Sequence, residues 1–136
     1  WGNMWFAGTW PRGKKCNIAV LELYPIYVVL SLITLQCSDM VVNIYTDNQA
    51  LTSVLNKLYC KDHALRKLMR GIAGMCMRCN IHIVARHISG ELNVGADLLS
   101  RGMVEKFLRT YPSMNKTPVI IPHHLQPHNN ELIQWK

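Results

Sequence analysis

Three acidic residues stand in settings that could support metal-dependent chemistry. Glu22 lies in Leu-Glu-Leu-Tyr-Pro-Ile, Asp47 in Tyr-Thr-Asp-Asn-Gln-Ala, and Asp97 in Asn-Val-Gly-Ala-Asp-Leu-Leu-Ser-Arg. The chain has only eight acidic residues, and these three have apolar neighbours at predicted element boundaries. Carboxylates held close together repel unless a cation lies between them, and their oxygens are ligands that suit Mg²⁺. The pattern therefore indicates two-metal hydrolysis of a phosphodiester.

Each carboxylate also has a purely structural interpretation. Glu22 could stabilise a nearby helix start through the helix dipole, and Asp97 could do the same early in a short helix. Asp47 precedes Asn48 and could be a simple N-cap. The residues alone leave both interpretations open.

The size and charge of the chain limit what it can be. Its 136 residues, of which 49% are hydrophobic, suffice for one domain with a buried core. The net charge of +7 indicates a polyanionic partner such as nucleic acid, although an ordinary basic surface would carry the same charge. Five cysteines without a signal peptide predict reduced thiols in an intracellular protein, cytoplasmic or nuclear. The longest apolar run, 24–35, is too short to span a bilayer, so we expect no membrane partner.

The N-terminal part of the chain is predicted to contain two strands followed by a helix. Residues 1–10 and 17–21 are the predicted strands, joined by a basic turn. The helix is expected to begin near Leu23, with Pro25 in its first turn, where proline is tolerated. Residues 26–36 are rich in Val and Ile, so a strand is the alternative there.

The rest of the chain alternates between helices and strands. Residues 41–46 and 81–86 are predicted strands, and helices are predicted to begin at Asn48, Asp62 and Ala96. Asp62 is a candidate N-cap. The helix after it has an apolar stripe made of Leu65, Leu68, Met69, Ile72 and Cys76.

The predicted order of elements, β-β-α-β-α-α-β-α, defines an α/β chain with a mixed sheet and helices on its faces. Asp47 then follows the C-terminal end of a strand, where open α/β sheets place their sites. From Tyr111 onward, repeated prolines and polar residues predict a linker or tail with little core of its own.

Two further groups of side chains could bind a ligand. Arg66, Lys67, Arg70 and Arg78 lie on one predicted helix, where they could follow phosphates or simply form a solvated face. A Cys-x-x-Cys motif with two later histidines permits a zinc interpretation, although the spacing fits no common finger. The residues of that motif are Cys76, Cys79, His82 and His87.

Three segments, in this order, resemble the ribonuclease H domain of retrotransposon reverse transcriptases, above all those of gypsy-type elements and of the tyrosine-recombinase elements of animals. The segments are LELYPI at 21–26, TDNQA at 46–50 and HISGELNVGADLLSR at 87–101. The opening Trp1-Gly2 and Gly8-Thr9-Trp10 resemble the family's second strand and the turn after it. The resemblance suggests a division into a ribonuclease H-like domain over 1–103 and a C-terminal extension or linker over 104–136.

The resemblance implies a catalytic site. Glu22, Asp47 and Asp97 match three of the family's four metal-binding carboxylates, which hold two Mg²⁺ ions, with Mn²⁺ as the alternative. His87 matches the histidine of a mobile loop that helps product leave. Residues expected to contact nucleic acid are Asn48, Asn93, Arg66, Lys67 and Arg70.

The family's activity is hydrolysis of the RNA strand of an RNA–DNA hybrid, and the resemblance implies the same here. The metal ions would activate the attacking water and stabilise the leaving 3′ oxygen. Glu22 is the candidate for contacting the ribose 2′-OH, the group by which proteins distinguish RNA from DNA. The expected partners are the hybrid and the polymerase domain of a parent polyprotein.

One departure from the family concerns its first carboxylate, an Asp on a central first strand. No Asp or Glu precedes Glu22 in this chain. We therefore expect a ribonuclease H-like fold that lacks its first strand, with impaired activity, cut just downstream of that strand. The strands at Trp1 and Val41 would then present unpaired backbone groups.

The alternative is a catalytically inactive remnant that binds nucleic acid or tethers neighbouring domains. An integrase-like relative would have different carboxylate spacing.

Overall fold

Five α-helices and a two-stranded parallel sheet form the part of the chain that the computed structural model describes, residues 1–133. The helices are α1 (Ile18–Ile33), α2 (Gln49–Lys57), α3 (His63–Cys79), α4 (Val94–Ser100) and α5 (Val104–Thr110). The strands are β1 (Met40–Thr46) and β2 (Ile81–His87), and two short 3₁₀ helices, His123–Leu125 and Pro127–Asn129, follow α5. The mixed α/β class predicted from the sequence is confirmed at this level.

Helix α1 begins earlier than the sequence predicts. The side chain of Asn17 accepts a hydrogen bond from the backbone N–H of Ala19 at 2.9 Å, which caps the helix. The buried positions recur at helical spacing, and they are Val20, Leu23, Tyr24, Val28 and Leu30. The predicted strand over 17–21 is therefore wrong, as is the predicted helix start near Leu23.

Pro25 lies inside α1 and not in its first turn. It has no N–H to donate to the Leu21 carbonyl, which weakens this part of the helix. The helix continues because its buried face packs along α3. This packing also decides the alternative for 26–36 in favour of helix as far as Ile33.

The predicted strand over 1–10 is also wrong, since no strand is assigned there. The Trp5 indole is buried, donates a hydrogen bond to the Asn115 carbonyl at 2.7 Å and packs edge-on against Phe107. Backbone bonds join this segment to the C-terminal extension, from Asn115 N–H to Asn3 and from Val119 N–H to Trp5. Aromatic packing against α5 and backbone bonds to the extension, and not pairing within a sheet, therefore hold this segment.

Strands β1 and β2 pair in parallel from Met40 beside Ile81 to Thr46 beside His87. On the outer edge of β2, Asn56 from α2 accepts the Ala85 N–H at 2.8 Å and donates to the Ala85 carbonyl at 2.9 Å. The outer edge of β1 has no strand beside it among residues 1–133. The side chains of Val41 and Tyr45 on β1 are more than half exposed.

Helices α2 and α3 match the sequence predictions closely. Asn48 caps α2, and the Asp62 carboxylate accepts the Ala64 N–H at 2.8 Å to cap α3. Every residue of the predicted α3 stripe is buried: Leu65, Leu68, Met69, Ile72 and Cys76. The helix predicted from Ala96 begins two residues earlier, at Val94.

The stretch after Tyr111 contributes to the main core, contrary to the expectation of a tail with little core. Leu125 and Ile133 are buried in the same cluster as α1 and α3. The buried Tyr24 hydroxyl donates to the Leu125 carbonyl at 2.6 Å, which fixes the extension to α1. The apolar residues between the prolines are the sequence feature that indicates this packing. The prolines and polar residues around them favour a linker instead, which is why the sequence prediction missed it. None of the helices within 1–133 has the length and apolar character required to cross a membrane.

Candidate carboxylate site and basic cavity

Asn48 connects α1 to the C-terminal end of β1. Its side-chain oxygen accepts the Leu51 N–H at 3.2 Å as the cap of α2, while its Nδ2 donates to Oε2 of Glu22. Because Asn48 is the chain neighbour of Asp47, this bond brings the Glu22 carboxylate beside the end of β1. Glu22 lies in the second turn of α1, and the cap of α2 is Asn48, so neither Glu22 nor Asp47 serves as the helix cap considered above.

Asp47 lies where the two parallel strands end. The Ile88 N–H donates to the Thr46 carbonyl at 2.9 Å, so the strands stay paired up to this point. The following loop then passes Asp47, since a Cβ on Gly90 would lie 3.9 Å from its Oδ2. The Asp47 side chain is exposed and therefore accessible to a ligand.

His87 is the last residue of β2 and pairs in register with Thr46. It therefore lies at the same edge of the sheet as Asp47. Its side chain is exposed. The imidazole is therefore accessible where the loop that leads to α4 begins.

Asp97 lies on α4, in its first turn. Its carboxylate forms an ion pair with Arg101, one turn further along the helix, at 3.2 Å. The two side chains are 50% and 68% exposed, and such helix-surface pairs contribute only about 0.3–0.5 kcal/mol. The pairing of an acid with a base four residues later was visible in the sequence as a helix pattern, and the sequence prediction missed it.

The donors around Asn48 have the chemistry that Mg²⁺ requires. Glu22 and Asp47 offer hard carboxylate oxygens at exposed positions, and Mg²⁺ commonly takes one or two protein carboxylates with water and substrate phosphate completing its shell. No set of three or more His, Cys, Asp or Glu side chains within 1–133 is grouped tightly enough to hold an ion. The hydrogen bond from Asn48 brings Glu22 to the residue after Asp47, while Asp97 lies on the helix that follows the loop.

The residues predicted to contact nucleic acid fall into two places. Asn48 lies at the carboxylates, and Asn93 lies at the start of α4, where its N–H donates to the Ser89 and Gly90 carbonyls at 3.2 Å. The backbone N–H of Asn93 thus helps to form the turn before α4, and its side chain does not cap the helix. The basic residues Arg66, Lys67 and Arg70 line a separate cavity on α3.

The cavity has further walls that the sequence did not indicate. His63 and Ala64 from the start of α3, and Leu132 from the C-terminal extension, complete its lining. Arg78 is not part of it and lies beside Gly74 instead. Only the long-range packing of the extension could have identified Leu132.

Cys76, the first residue of the Cys-x-x-Cys motif, is buried in the apolar stripe of α3. Burial raises the pKa of its thiol, and the neighbouring Cys79 adds to this effect. A raised pKa disfavours the thiolate, which is the form that binds metal. The geometry therefore favours the packing interpretation of Cys76.

No family model, curated protein or solved structure matches the chain. Function must therefore be inferred from the residues of the chain itself. Asn48 links Glu22 to the end of β1, His87 lies on the adjoining strand, and Asp97 lies on the helix after the loop.

Proposed function

We propose that this chain is a ribonuclease H-type domain that contributes to metal-dependent hydrolysis of the RNA strand of RNA–DNA hybrids. The observation that carries the proposal is the hydrogen bond from Asn48 to Glu22, which links the Glu22 carboxylate to the residue that follows Asp47 at the end of β1. The three sequence motifs that resemble the family support it. The parallel pairing of β1 and β2, with α2 and α3 between them in sequence, is compatible with the same fold.

Glu22 and Asp47 are proposed to hold Mg²⁺, or Mn²⁺, near the scissile phosphate. The ions supply activation of the attacking water and stabilisation of the leaving 3′ oxygen. Asn48 keeps the Glu22 carboxylate oriented through its side-chain amide, while its oxygen stays on the α2 backbone. Glu22 is also the proposed contact for the ribose 2′-OH, so its position would link cleavage to the recognition of RNA.

Asp97 is proposed to join the site by exchanging its pairing with Arg101 for a metal ion. The exposed ion pair is weak, so a divalent cation can compete for the carboxylate. The loop that passes Asp47 at Gly90 leads directly into α4, which carries Asp97. His87, at the start of that loop, is proposed to assist product release.

A further carboxylate is needed for the full set of four that the resemblance implies. The outer edge of β1 is the proposed place for a strand carrying it, because no strand flanks that edge within residues 1–133. An added strand would hydrogen-bond to this edge and end close to Asp47 if it ran parallel to β1. The chain alone is accordingly expected to cleave poorly.

The test is cleavage of a labelled RNA–DNA hybrid in Mg²⁺ by the chain alone and by the chain with a β-strand carrying one Asp fused ahead of Trp1. The matched control carries the same strand with Asn in place of that Asp. We expect RNA cleavage from the Asp strand only, with a DNA duplex left uncut. Glu22→Gln or Asp47→Asn should lower the rate by about a hundredfold, or about 2.7 kcal/mol.

Cleavage that persists in both Glu22→Gln and Asp47→Asn would overturn this assignment. The second candidate is a non-catalytic module that binds nucleic acid or tethers neighbouring domains. The specific observation in its favour is the basic cavity on α3, lined by Arg66, Lys67 and Arg70, which needs no carboxylate. Hybrid binding without Mg²⁺-dependent cleavage, in both fused forms, would favour this second function.

A further inference from the structure

The N-terminal half of α3 and the C-terminal extension line an open cavity of about 310 Å³. Its lining comprises His63, Ala64, Arg66, Lys67, Arg70 and Leu132. Three of these side chains are permanently positive at neutral pH, and none of the lining residues is acidic. A concave surface lined by one sign of charge concentrates the electrostatic field and attracts ions of the opposite sign.

The cations of this cavity are available to an outside anion. The one ion pair found within 1–133 joins Arg101 to Asp97, so Arg66, Lys67 and Arg70 have no acidic partner in this part of the chain. The nearby Asp62 carboxylate is engaged with the Ala64 N–H as the cap of α3. Like charges on adjacent helical turns repel each other, and a bound anion would relieve that repulsion.

The cavity also has a fixed shape. Arg66 is half-buried, and its guanidinium donates to the Lys61 carbonyl at 3.2 Å, which restrains one of the cationic side chains. Leu132 closes one wall from an extension that is anchored by buried Leu125 and Ile133. A solvated helix face would not have this wall.

We propose that this cavity binds the phosphates of a nucleic-acid backbone and anchors the strand independently of base sequence. Guanidinium groups suit phosphate oxygens because their planar N–H donors match the geometry of phosphate, and Lys67 adds a point charge. The proposal goes beyond hydrolysis, since phosphate binding here needs none of the carboxylates. It therefore holds for a catalytic domain and for a non-catalytic binding module alike.

The experiment compares two arginine variants of α3 that remove the same charge. Arg70→Gln removes an exposed cation that lines the cavity, and Arg78→Gln removes an exposed cation outside it. Fluorescence anisotropy measures the Kd for RNA–DNA hybrids of two unrelated sequences between 50 and 200 mM salt, conditions over which phosphate contacts weaken strongly. Circular dichroism checks that each variant keeps its helices.

We expect Arg70→Gln to weaken both hybrids equally and to reduce the slope of log Kd against log salt by about 1, and Lys67→Gln/Arg70→Gln to reduce it by about 2. Arg78→Gln should leave the slope within error of the unaltered chain. Equal losses from Arg70→Gln and Arg78→Gln would overturn the proposal and indicate diffuse attraction by the whole helix. An unchanged slope in Lys67→Gln/Arg70→Gln would overturn it as well.

Two more measurements distinguish phosphate anchoring from cleavage and from the binding of a small anion. Repeating the anisotropy in EDTA without Mg²⁺, where no cleavage occurs, should leave the effect of Arg70→Gln unchanged, so loss of cleavage and loss of anchoring are distinguishable. Inorganic phosphate added as a competitor should perturb the NMR signals of Arg66 and Arg70 and displace the hybrid. If phosphate binds there while the hybrid binds elsewhere, the cavity is an anion site for a small molecule and the nucleic-acid assignment is wrong.

Discussion

The side-chain amide of Asn48 donates a hydrogen bond to Oε2 of Glu22 across 26 positions of sequence. The same side chain caps α2 through its oxygen. One residue therefore joins the helix that carries one motif carboxylate to the strand end that carries another. This arrangement explains why an asparagine directly after Asp47 is useful to the site.

Replacing Asn48 should separate its two roles. Asn48→Ala removes the cap and the bond to Glu22, and we expect a loss of about 1–3 kcal/mol in the free energy of unfolding. Asn48→Asp keeps a capping oxygen but loses the donor and adds a negative charge beside Glu22. Adding Mg²⁺ should therefore restore most of the unfolding free energy that Asn48→Asp loses, but it should not restore what Asn48→Ala loses.

Urea denaturation with and without Mg²⁺ checks this prediction. Asn3→Ala is the control, since Asn3 is exposed and its side chain makes no hydrogen bond within residues 1–133. Equal stabilities of Asn48→Ala and the Asn3→Ala control would show that the Asn48 contacts do not contribute to the free energy of unfolding.

Asn56 is expected to hold the outer edge of β2. Its amide satisfies both backbone groups of Ala85, so Asn56→Ala leaves a donor and an acceptor of β2 without protein partners. We expect a loss of about 1–3 kcal/mol in unfolding free energy and faster hydrogen exchange at the Ala85 amide. Unchanged exchange at Ala85 would contradict this role.

Tyr24 should make the free energy of unfolding depend on pH in the alkaline range. Burial raises the pKa of its hydroxyl, and nearby Tyr27 adds to the effect. The unfolded chain has a tyrosine pKa of about 10, so the folded state holds this proton more tightly. The stabilising contribution is therefore complete below pH 10 and is lost as the pH rises above 10.

The measurement is the urea midpoint at pH 8 and pH 10.5. The unaltered chain should lose more stability between these values than Tyr24→Phe, which should itself cost about 1–3 kcal/mol at pH 8 because the buried Leu125 carbonyl loses its donor. Tyr45→Phe is the control because Tyr45 is exposed. The same pH dependence in Tyr24→Phe and the unaltered chain would rule out Tyr24 as its source.

Cysteine reactivity should follow burial. Cys37 is exposed, whereas Cys76 is buried and has a raised thiol pKa. Since the thiolate is the reactive form, we expect Cys37 to react with an aromatic disulfide reagent well before Cys76. Mass spectrometry of peptides at successive times measures the order, and early labelling of Cys76 in the native chain would contradict the packing of α3.

The sequence predicted the elements whose signals are local. The stripe from Leu65 to Cys76 and the cap at Asp62 identify α3, and the alternating pattern after Ile81 identifies β2. These elements bury one face each, so periodicity and capping are sufficient. The motif carboxylates were chosen from their neighbours in sequence, and their role in a metal site stays a prediction.

The sequence could not predict what depends on distant packing. Aromatic residues around Trp5 favour a strand locally, but the indole packs on Phe107 and bonds to the Asn115 carbonyl instead. Leu125 reaches the core through Tyr24, far away in sequence. The link from Asn48 to Glu22 is likewise invisible until α1 and β1 lie side by side.

The most direct test of the central claim is paramagnetic broadening of amide NMR signals by Mn²⁺, the alternative to Mg²⁺. If Glu22, Asp47 and Asp97 share one metal site, a small amount of Mn²⁺ should broaden the signals around all three together, and excess Mg²⁺ should restore them. Glu22→Gln and Asp47→Asn should each reduce the broadening at Asp97, whereas the exposed Glu105→Gln should not. Broadening at Asp97 alone, with sharp signals at Glu22 and Asp47, would contradict a shared site and the nuclease assignment with it.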